Sequence, residues 1–580
     1  MGVQTPGCAV LWSCKWAGVL ATFLTVGCIP DETSADPEPP TDASSAETES
    51  SGSQGTEAAL LPICDLLANP DAETGDIQGW TVESGEWAVK GGDQPVPFGG
   101  NFLFSTGEAS ASVAYQDVDL LSHAVAVEGG TVTAHLEVQF RDRVGEDAGY
   151  LGLMALDAAG EVLAEAVEGP LLDQAWRRHR AHLILPSGTV TVRVRLGSVR
   201  NDGLSNDGVF DDVSLCLDEI PPPVASDIRF GPWLNWVTTD AISVLWETEG
   251  SVVGGVEWSQ GLDFEDTLTE SEASDHHELR ITGLEPDTVY AYRVRSDDAP
   301  GEIYSFRTAP SDAVPFEFAV WGDNQNGPDI FAEVVDRMEA AQPDFLLSVG
   351  DIVQSGTEAN YRDELLDPIL DLTLDTPFLV AAGNHERIFD AGAAMFERHL
   401  AQPGDEHCFT WTYGGAFFLF LDTELSTLSG PQLLCIEEAL ASDAFASSEV
   451  QMALFHYPPR IEYWAFYFYG DDLIYDGDDD IRDVLEPVFH DAGVDLVFNG
   501  HNHLYAYTPA GTYSDVTWVT TGGGGGDIDS DFWVTGDWDG ITSTVHAHHF
   551  VQVAVDGKEV SVSAIGMDGA TLHQFALTAD

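Results

Sequence analysis

The sequence predicts a multidomain chain in which two β-sandwiches precede an α/β domain of layered strands flanked by helices. Two observations carry that prediction. Between Leu61 and about Asp218, and again between Pro221 and about Pro310, short runs alternate apolar and polar residues and are separated by Gly, Asp and Asn turns, the period-2 signature of half-buried strands. From Pro315 onward, apolar runs alternate instead with amphipathic stretches such as I-F-A-E-V-V-D-R-M-E-A-A, the texture of strands and helices in layers.

At the N-terminus, Lys15 precedes W-A-G-V-L-A-T-F-L-T-V, an apolar run too short to span a bilayer and shaped like the core of a signal peptide, assigned to 1–27. Leu24-Thr25-Val26-Gly27-Cys28 resembles a bacterial lipobox, with Thr25 where Leu is more usual. Cys28 is therefore expected to carry lipid, or to be incidental to an ordinary cleaved signal. Residues 28–58 have almost no large apolar side chain and form an acidic disordered linker. Export follows as an expectation, either to a bacterial cell envelope, with membrane contact through a lipid anchor only, or to the medium. Cysteine usage agrees: beyond Cys8, Cys14 and Cys28 there remain Cys64, Cys216, Cys408 and Cys435, an even set that suggests two disulfides. The domain boundaries favour Cys64–Cys216 and Cys408–Cys435.

Residues 59–220 contain strand-like runs such as T-V-T-A-H-L-E-V-Q-F and T-V-T-V-R-V-R-L. The opening N-P-D-A-E-T-G-D-I-Q-G-W and closing V-F-D-D-V-S-L-C-L resemble carbohydrate-binding-type jelly rolls. That resemblance implies a structural calcium held by Glu73 and Asp212, whose oxygens suit the ion, and a glycan partner. A plain sandwich with Trp80 in its core is the competing expectation. Residues 221–310 carry I-S-V-L-W-E-T, G-V-E-W-S and G-L-E-P-D-T-V-Y-A-Y-R-V, which resemble a fibronectin type III sandwich and its tyrosine-bearing turn. They also resemble the module preceding the catalytic domain of purple acid phosphatases.

Charge excludes some partners. With 98 acidic residues against 22 basic and a formal net charge of -76, the chain repels nucleic-acid polymers and anionic membranes. An anionic substrate needs a strong local positive charge.

In residues 311–580, five apolar runs each stop at polar residues. F-E-F-A-V-W ends in Gly322-Asp323-Asn324-Gln325, D-F-L-L-S-V in Gly350-Asp351, and P-F-L-V-A-A in Gly383-Asn384-His385-Glu386. M-A-L-F ends in His456-Tyr457-Pro458-Pro459, and V-D-L-V-F in Asn499-Gly500-His501-Asn502-His503. Residues just past the carboxyl ends of strands in an α/β sheet converge on one crevice. The five motifs in this order resemble the calcineurin-like metallophosphoesterase superfamily. The resemblance implies two di- or trivalent cations, because two metals about 3.5–4 Å apart can polarise a phosphoryl group, acidify a water and offset charge on the leaving oxygen. It implies Asp351 as the bridge, Asp323 and His503 on the first metal, Asn384, His456 and His501 on the second, and His385 as the group that protonates the leaving oxygen or stabilises the transition state. The nitrogen and oxygen donors fit Mn, Fe or Zn.

Two positions depart from the relatives. The tyrosine that colours purple acid phosphatases would stand at Gln354, so no such colour is expected. Gln325 occupies the histidine position of D-x-H and is either a substituted ligand, weaker than imidazole, or no ligand. Arg387 and Arg460 follow ligand motifs and are expected either to clamp phosphate or to form surface ion pairs. The aromatic stretch I-E-Y-W-A-F-Y-F-Y-G-D-D is expected to wall a pocket or to pack on the neighbouring sandwich. Gly522 to Gly526 resemble the family's Gly-rich turn and lack a P-loop lysine. His546, His548 and His549 are candidates for the site's edge, or, for the first two, for the surface. The expected function is hydrolysis of phosphate esters, with a phosphomonoesterase favoured over a phosphodiesterase or nucleotidase. The rival is a catalytically inactive surface lipoprotein that binds glycan.

Overall fold

The alternating runs of the first sandwich pair as expected, because each strand has one apolar face to bury. The computed structural model describes residues 63–579 except 65, 92–95, 122–126, 128–131, 143–146, 202, 204, 219–227, 263, 265, 298, 405, 425–429, 464–475 and 530–537. The signal segment, Cys28, the acidic linker and most of the aromatic stretch after His456 lie outside these residues.

Two five-stranded antiparallel sheets form the first sandwich. One runs Thr81–Ser84, Ala111–Asp119, Thr191–Val199, Ala148–Leu156, Val162–Leu171; the other Ala88–Lys90, Leu103–Ser105, Gly208–Asp218, Thr133–Asp142, Arg177–Ile184. Leu136, Phe140, Leu153, Val194 and Phe210 fill the space between them. Trp80 is buried in that core, and its indole N–H donates to the Asn69 carbonyl at 3.1 Å. Both expected disulfides form, Cys64–Cys216 and Cys408–Cys435.

The second sandwich, expected over 221–310, shares a sheet with the domain that follows it. Its strands Ser274–Thr282, Ala241–Val252 and Ile228–Asn235 do not close on themselves. Asn235 pairs in parallel with Phe378, so these strands extend a nine-stranded sheet that continues through Phe378–Val380, Phe345–Ser348, Phe316–Trp321, His549–Asp556, Glu559–Gly566 and Thr571–Thr578. The remaining strands, among them Gly254–Ser259 and Val289–Ser296, form the facing sheet. The tyrosine-bearing turn is Tyr290, whose hydroxyl accepts the Glu285 N–H at 2.9 Å.

A seven-stranded sheet stacks on the nine-stranded one, with Ala416–Leu421, Val450–Leu454, Leu496–Asn499 and Thr517–Thr521 parallel in its centre. The interior holds Phe318, Phe345, Trp411, Phe418 and Phe498. Helices such as Pro328–Ala340 cover one outer face and Glu486–Ala492 the other, burying Phe331 and Phe489 respectively. All five ligand-bearing strands are parallel members of these sheets, so their carboxyl ends open on one side.

Candidate metal centre

Each predicted ligand follows its strand by one to four residues, and the local backbone explains how. Asp323, Asp351 and His501 adopt φ of 60°, 52° and 66°, left-handed conformations that non-glycine residues rarely hold without tertiary support. The turn swings each side chain back over the strand end. Neighbouring glycines leave the space: a Cβ on Gly500 would meet Asp323 Oδ2 at 2.3 Å, and one on Gly383 would meet Asp351 Oδ1 at 2.4 Å. The Gly522–Gly526 run serves the same purpose. A Cβ on Gly522 would meet Asn502 O at 2.2 Å, and one on Gly526 the His503 ring at 2.9 Å.

Asp351 lies at the centre. Its Oδ2 is 3.0 Å from His456 Nε2 and 3.9 Å from His385 Nε2, and its Oδ1 accepts the His385 N–H at 2.8 Å. Donor atoms of Asp351, His456 and His501 all fall within 4.8 Å of one another. His456 Nδ1 donates to the Val349 carbonyl at 2.9 Å, which turns Nε2 toward Asp351 and to within 3.2 Å of His501 Nδ1. On the other flank, His503 Nδ1 donates to the Asp527 carbonyl and Nε2 stands 3.5 Å from Asp323 Oδ1. Gln325 is there too: its Nε2 is 3.1 Å from His503 Nε2 and 3.4 Å from Asp351 Oδ2. The structure thus brings together Asp323, Gln325, Asp351, Asn384, His385, His456, His501 and His503.

The electrostatics call for cations. Burial pushes Asp323 up to about 7, against the pull of His456 and His503 and with Asp351 adding repulsion. Burial also opposes ionisation of Asp351, but His456 outweighs it and holds the carboxyl well below the usual range. His456 is correspondingly held up at about 10 by Asp351, although burial acts the other way. His501 is pushed well below the ordinary histidine value by burial and by His456. Two amide oxygens, Gln325 Oε1 and Asn384 Oδ1, are buried without any hydrogen-bond partner. Buried acceptors normally find donors; Gln325 Nε2 lies 3.4 Å from Asp351 Oδ2, and Asn384 precedes His385, whose N–H binds Asp351 Oδ1. Oxygen and nitrogen donors with unused lone pairs around buried carboxylates fit a metal ion, and Asp351, His456 and His501 form a candidate metal-binding group.

Several residues that sequence reasoning passed over hold this arrangement. Glu386, fully buried, accepts the N–H groups of Gly383, Asp351 and Ile352, and burial raises its carboxyl to about 8. It stood in the quoted Gly-Asn-His-Glu motif, where its role was legible only as a motif letter. Asp529 accepts the His503 N–H at 2.9 Å and Asn502 Nδ2 at 2.7 Å, which fixes the turn bearing both histidines. Asn502 also reaches the carbonyl of Tyr463, the start of the aromatic stretch, whose ring lies 4.9 Å from that of His546.

Other expectations land elsewhere. Arg387 pairs with buried Asp422, and Arg460 with buried Glu486 at 2.7 Å beneath the Tyr513 ring. Both guanidinium groups are engaged, so a phosphate clamp would require these pairs to open. Gln354 has an exposed side chain, and its carbonyl accepts His385 Nδ1 at 2.9 Å. His549 is buried and bonded to Thr521 Oγ1, while His546 Nδ1 meets the Asp529 carbonyl. In the first sandwich, Glu73 accepts the N–H groups of Asn101 and Phe102 at 2.6 and 2.7 Å, and Asp212 is exposed. Its neighbour Asp211 is the buried one, pushed up to about 8 by that burial.

Two segments of the chain match described families. Residues 316–505 match the family model of calcineurin-like phosphoesterases, and residues 232–308 that of the purple acid phosphatase N-terminal domain. Purple acid phosphatase 15 of Arabidopsis thaliana is 26% identical over 289 residues, covering 43% of this chain and 52% of its own, so the chain spans about half the length of that relative. Purple acid phosphatase 23 of the same plant is 25% identical over 371 residues, covering 52% of this chain and 78% of its own. Among solved structures, purple acid phosphatase PPD1 from yellow lupin seeds shares the fold with a TM-score of 0.52 at 15% identity, covering 81% of this chain and 94% of its own. The accessory sandwich is thus a purple acid phosphatase N-terminal domain, and the stacked sheets after it are a calcineurin-like metallophosphoesterase domain.

Proposed function

We propose that the chain hydrolyses phosphate monoesters with two cations held around Asp351. The observation that carries this reading is the pair of buried, unpartnered amide oxygens, Gln325 Oε1 and Asn384 Oδ1, on two residues next to that carboxylate: Gln325 Nε2 lies 3.4 Å from Asp351 Oδ2, and His385, which follows Asn384, donates its N–H to Asp351 Oδ1. Asp323, Gln325 and His503 would hold one ion and Asn384, His456 and His501 the other. When bound, the cations polarise the phosphoryl group and acidify a water; they also supply the positive charge that an anionic substrate needs on so acidic a chain.

The chain's own groups do the rest. His385 Nδ1 is committed to the Gln354 carbonyl, so Nε2 is the nitrogen that faces Asp351 and can hold a proton for the leaving alkoxide. Asp351 fixes that residue further through its backbone N–H. Glu386 and Asp529 keep the ligand turns rigid without touching substrate. The preference for monoesters rests on the relatives, which are named as acid phosphatases. The acidic first sandwich and the N-terminal segment add an exported, surface-held enzyme to the reading, supported by the disulfides.

The test assays p-nitrophenyl phosphate beside bis-p-nitrophenyl phosphate, with Mn, Zn and Fe in turn. Monoester turnover should dominate, and His385→Ala should lower kcat by about 10²–10⁴-fold while metal content stays constant. Faster diester turnover would replace the monoesterase with a phosphodiesterase. No turnover by a chain loaded with metal to saturation would remove the catalytic reading altogether.

A further inference from the structure

A second group of metal-type donors lies outside the centre described above, where the accessory sandwich meets the phosphoesterase domain. Glu247 and His276 are directly opposed partners in the antiparallel pair Ala241–Val252 and Ser274–Thr282, so their side chains share one face of the sheet. His399 ends the helix Ala394–His399 of the phosphoesterase domain. One donor atom from each of the three lies within 4.8 Å of the others, and the two imidazoles meet edge to face at 5.7 Å.

What makes the cluster unusual is the lack of partners. Glu247 is 0% and His399 1% exposed, yet Glu247 Oε1, His399 Nδ1 and both ring nitrogens of His276 make no hydrogen bond, Glu247 Oε1 and His276 Nδ1 standing 3.8 Å apart, and His399 Nε2 has only Glu358 Oε2 at 3.3 Å. An isolated buried polar atom of this kind is costly, and four together call for a common partner. The framework is otherwise well built. Trp233 lies beside both rings and donates its indole N–H to the His399 carbonyl at 3.1 Å, while Tyr361 stacks on His399.

Charge sets the terms. Glu247 Oε2 is held by Arg229 and Arg362; despite its burial, His276 and these arginines bring its carboxyl down to about 2. Glu247 is therefore an anion with Oε1 to spare. The two guanidinium groups oppose a cation, and Glu358, whose Oε2 is 3.3 Å from His399 Nε2, offsets part of that and offers a further oxygen.

We propose that Glu247, His276 and His399 form a structural site for a divalent ion of the zinc class, which clamps the accessory sandwich to the phosphoesterase domain. Two imidazoles and one carboxylate are a set that zinc accepts, with Glu358 or water completing four-coordination. The clamp joins strands of one domain to a helix of the other, which the shared sheet does through a single register pair, Asn235 with Phe378.

The test is zinc stoichiometry of the full chain after equilibrium dialysis. His276→Ala and His399→Ala should each bind one molar equivalent less than wild type, and the double variant should lose no more than either single one. Cobalt(II) bound to the Asp351→Asn chain should show ligand-field absorption that His399→Ala removes. Unchanged stoichiometry in both single variants overturns the site. Should those variants fold poorly, anomalous diffraction at the zinc edge from wild-type crystals decides: a peak among the three side chains supports the clamp, and a peak at Asp351 with none here overturns it.

Discussion

Gln325 shows how a single residue changes meaning between sequence and structure. By position it replaces a histidine ligand; in space it sits between His503 and Asp351 with its Oε1 unpartnered. A carbonyl oxygen so placed is available to a cation, and as a neutral donor it binds more weakly than imidazole. Gln325→His should therefore tighten the proposed metal site it shares with Asp323 and His503, and Gln325→Ala should loosen it, each by about 10-fold or more, as read by titration calorimetry with Mn and Zn. Equal affinity in all three proteins would show that Gln325 is not a ligand.

At the scale of elements, the helix Pro328–Ala340 is the most instructive. Its sequence reads as amphipathic, and Phe331, Val334, Val335 and Met338 do face the core. Its polar side is also covered, by the first sandwich: Arg337 donates to the Pro97 carbonyl, Arg141 approaches Glu333, and Arg178 reaches Glu339 at 2.5 Å. Asp336 is buried as a result and is pushed up to about 8, with Arg337 and Arg141 only partly offsetting the loss of solvent. The sign follows directly. A carboxyl with a raised folded value binds its proton more tightly when folded, so its contribution is complete below the ordinary Asp range and is lost as pH rises through about 8. Stability should fall between pH 4 and 8, and Asp336→Asn should restore about 1–3 kcal/mol at pH 8 but less at pH 5. Thermal melts of both proteins at the two pH values check this; the same difference at each pH would mean that Asp336 is not the group responsible.

For the whole molecule, the first sandwich is held to the phosphoesterase domain largely through polar contacts. Arg178 pairs with Glu339 and Asp375, and its backbone N–H reaches Asp371. Removing one partner of a buried pair strands the other. Arg178→Ala should destabilise the junction by about 3 kcal/mol, at the low end for a buried pair because burial already raises Glu339 to about 7, and without the guanidinium its carboxyl can shed its charge by taking up a proton. Calorimetry should show an earlier transition for the first sandwich with phosphatase activity retained; superimposable traces would assign the junction's strength to other contacts. The sequence alone determined the strand-rich modules, the paired cysteines and the five ligand motifs, because each is written in local periodicity, spacing or residue chemistry. It did not reveal that the accessory strands join the phosphoesterase sheet, that Arg387 and Arg460 answer buried carboxylates, or that Asp529 and Glu386 brace the ligand turns. It was equally silent on the meeting of Glu247 and His276 with His399. Those pairings link residues far apart along the chain, and only the packing of one sheet edge, turn or helix against another decides which polar groups lose water and must find each other.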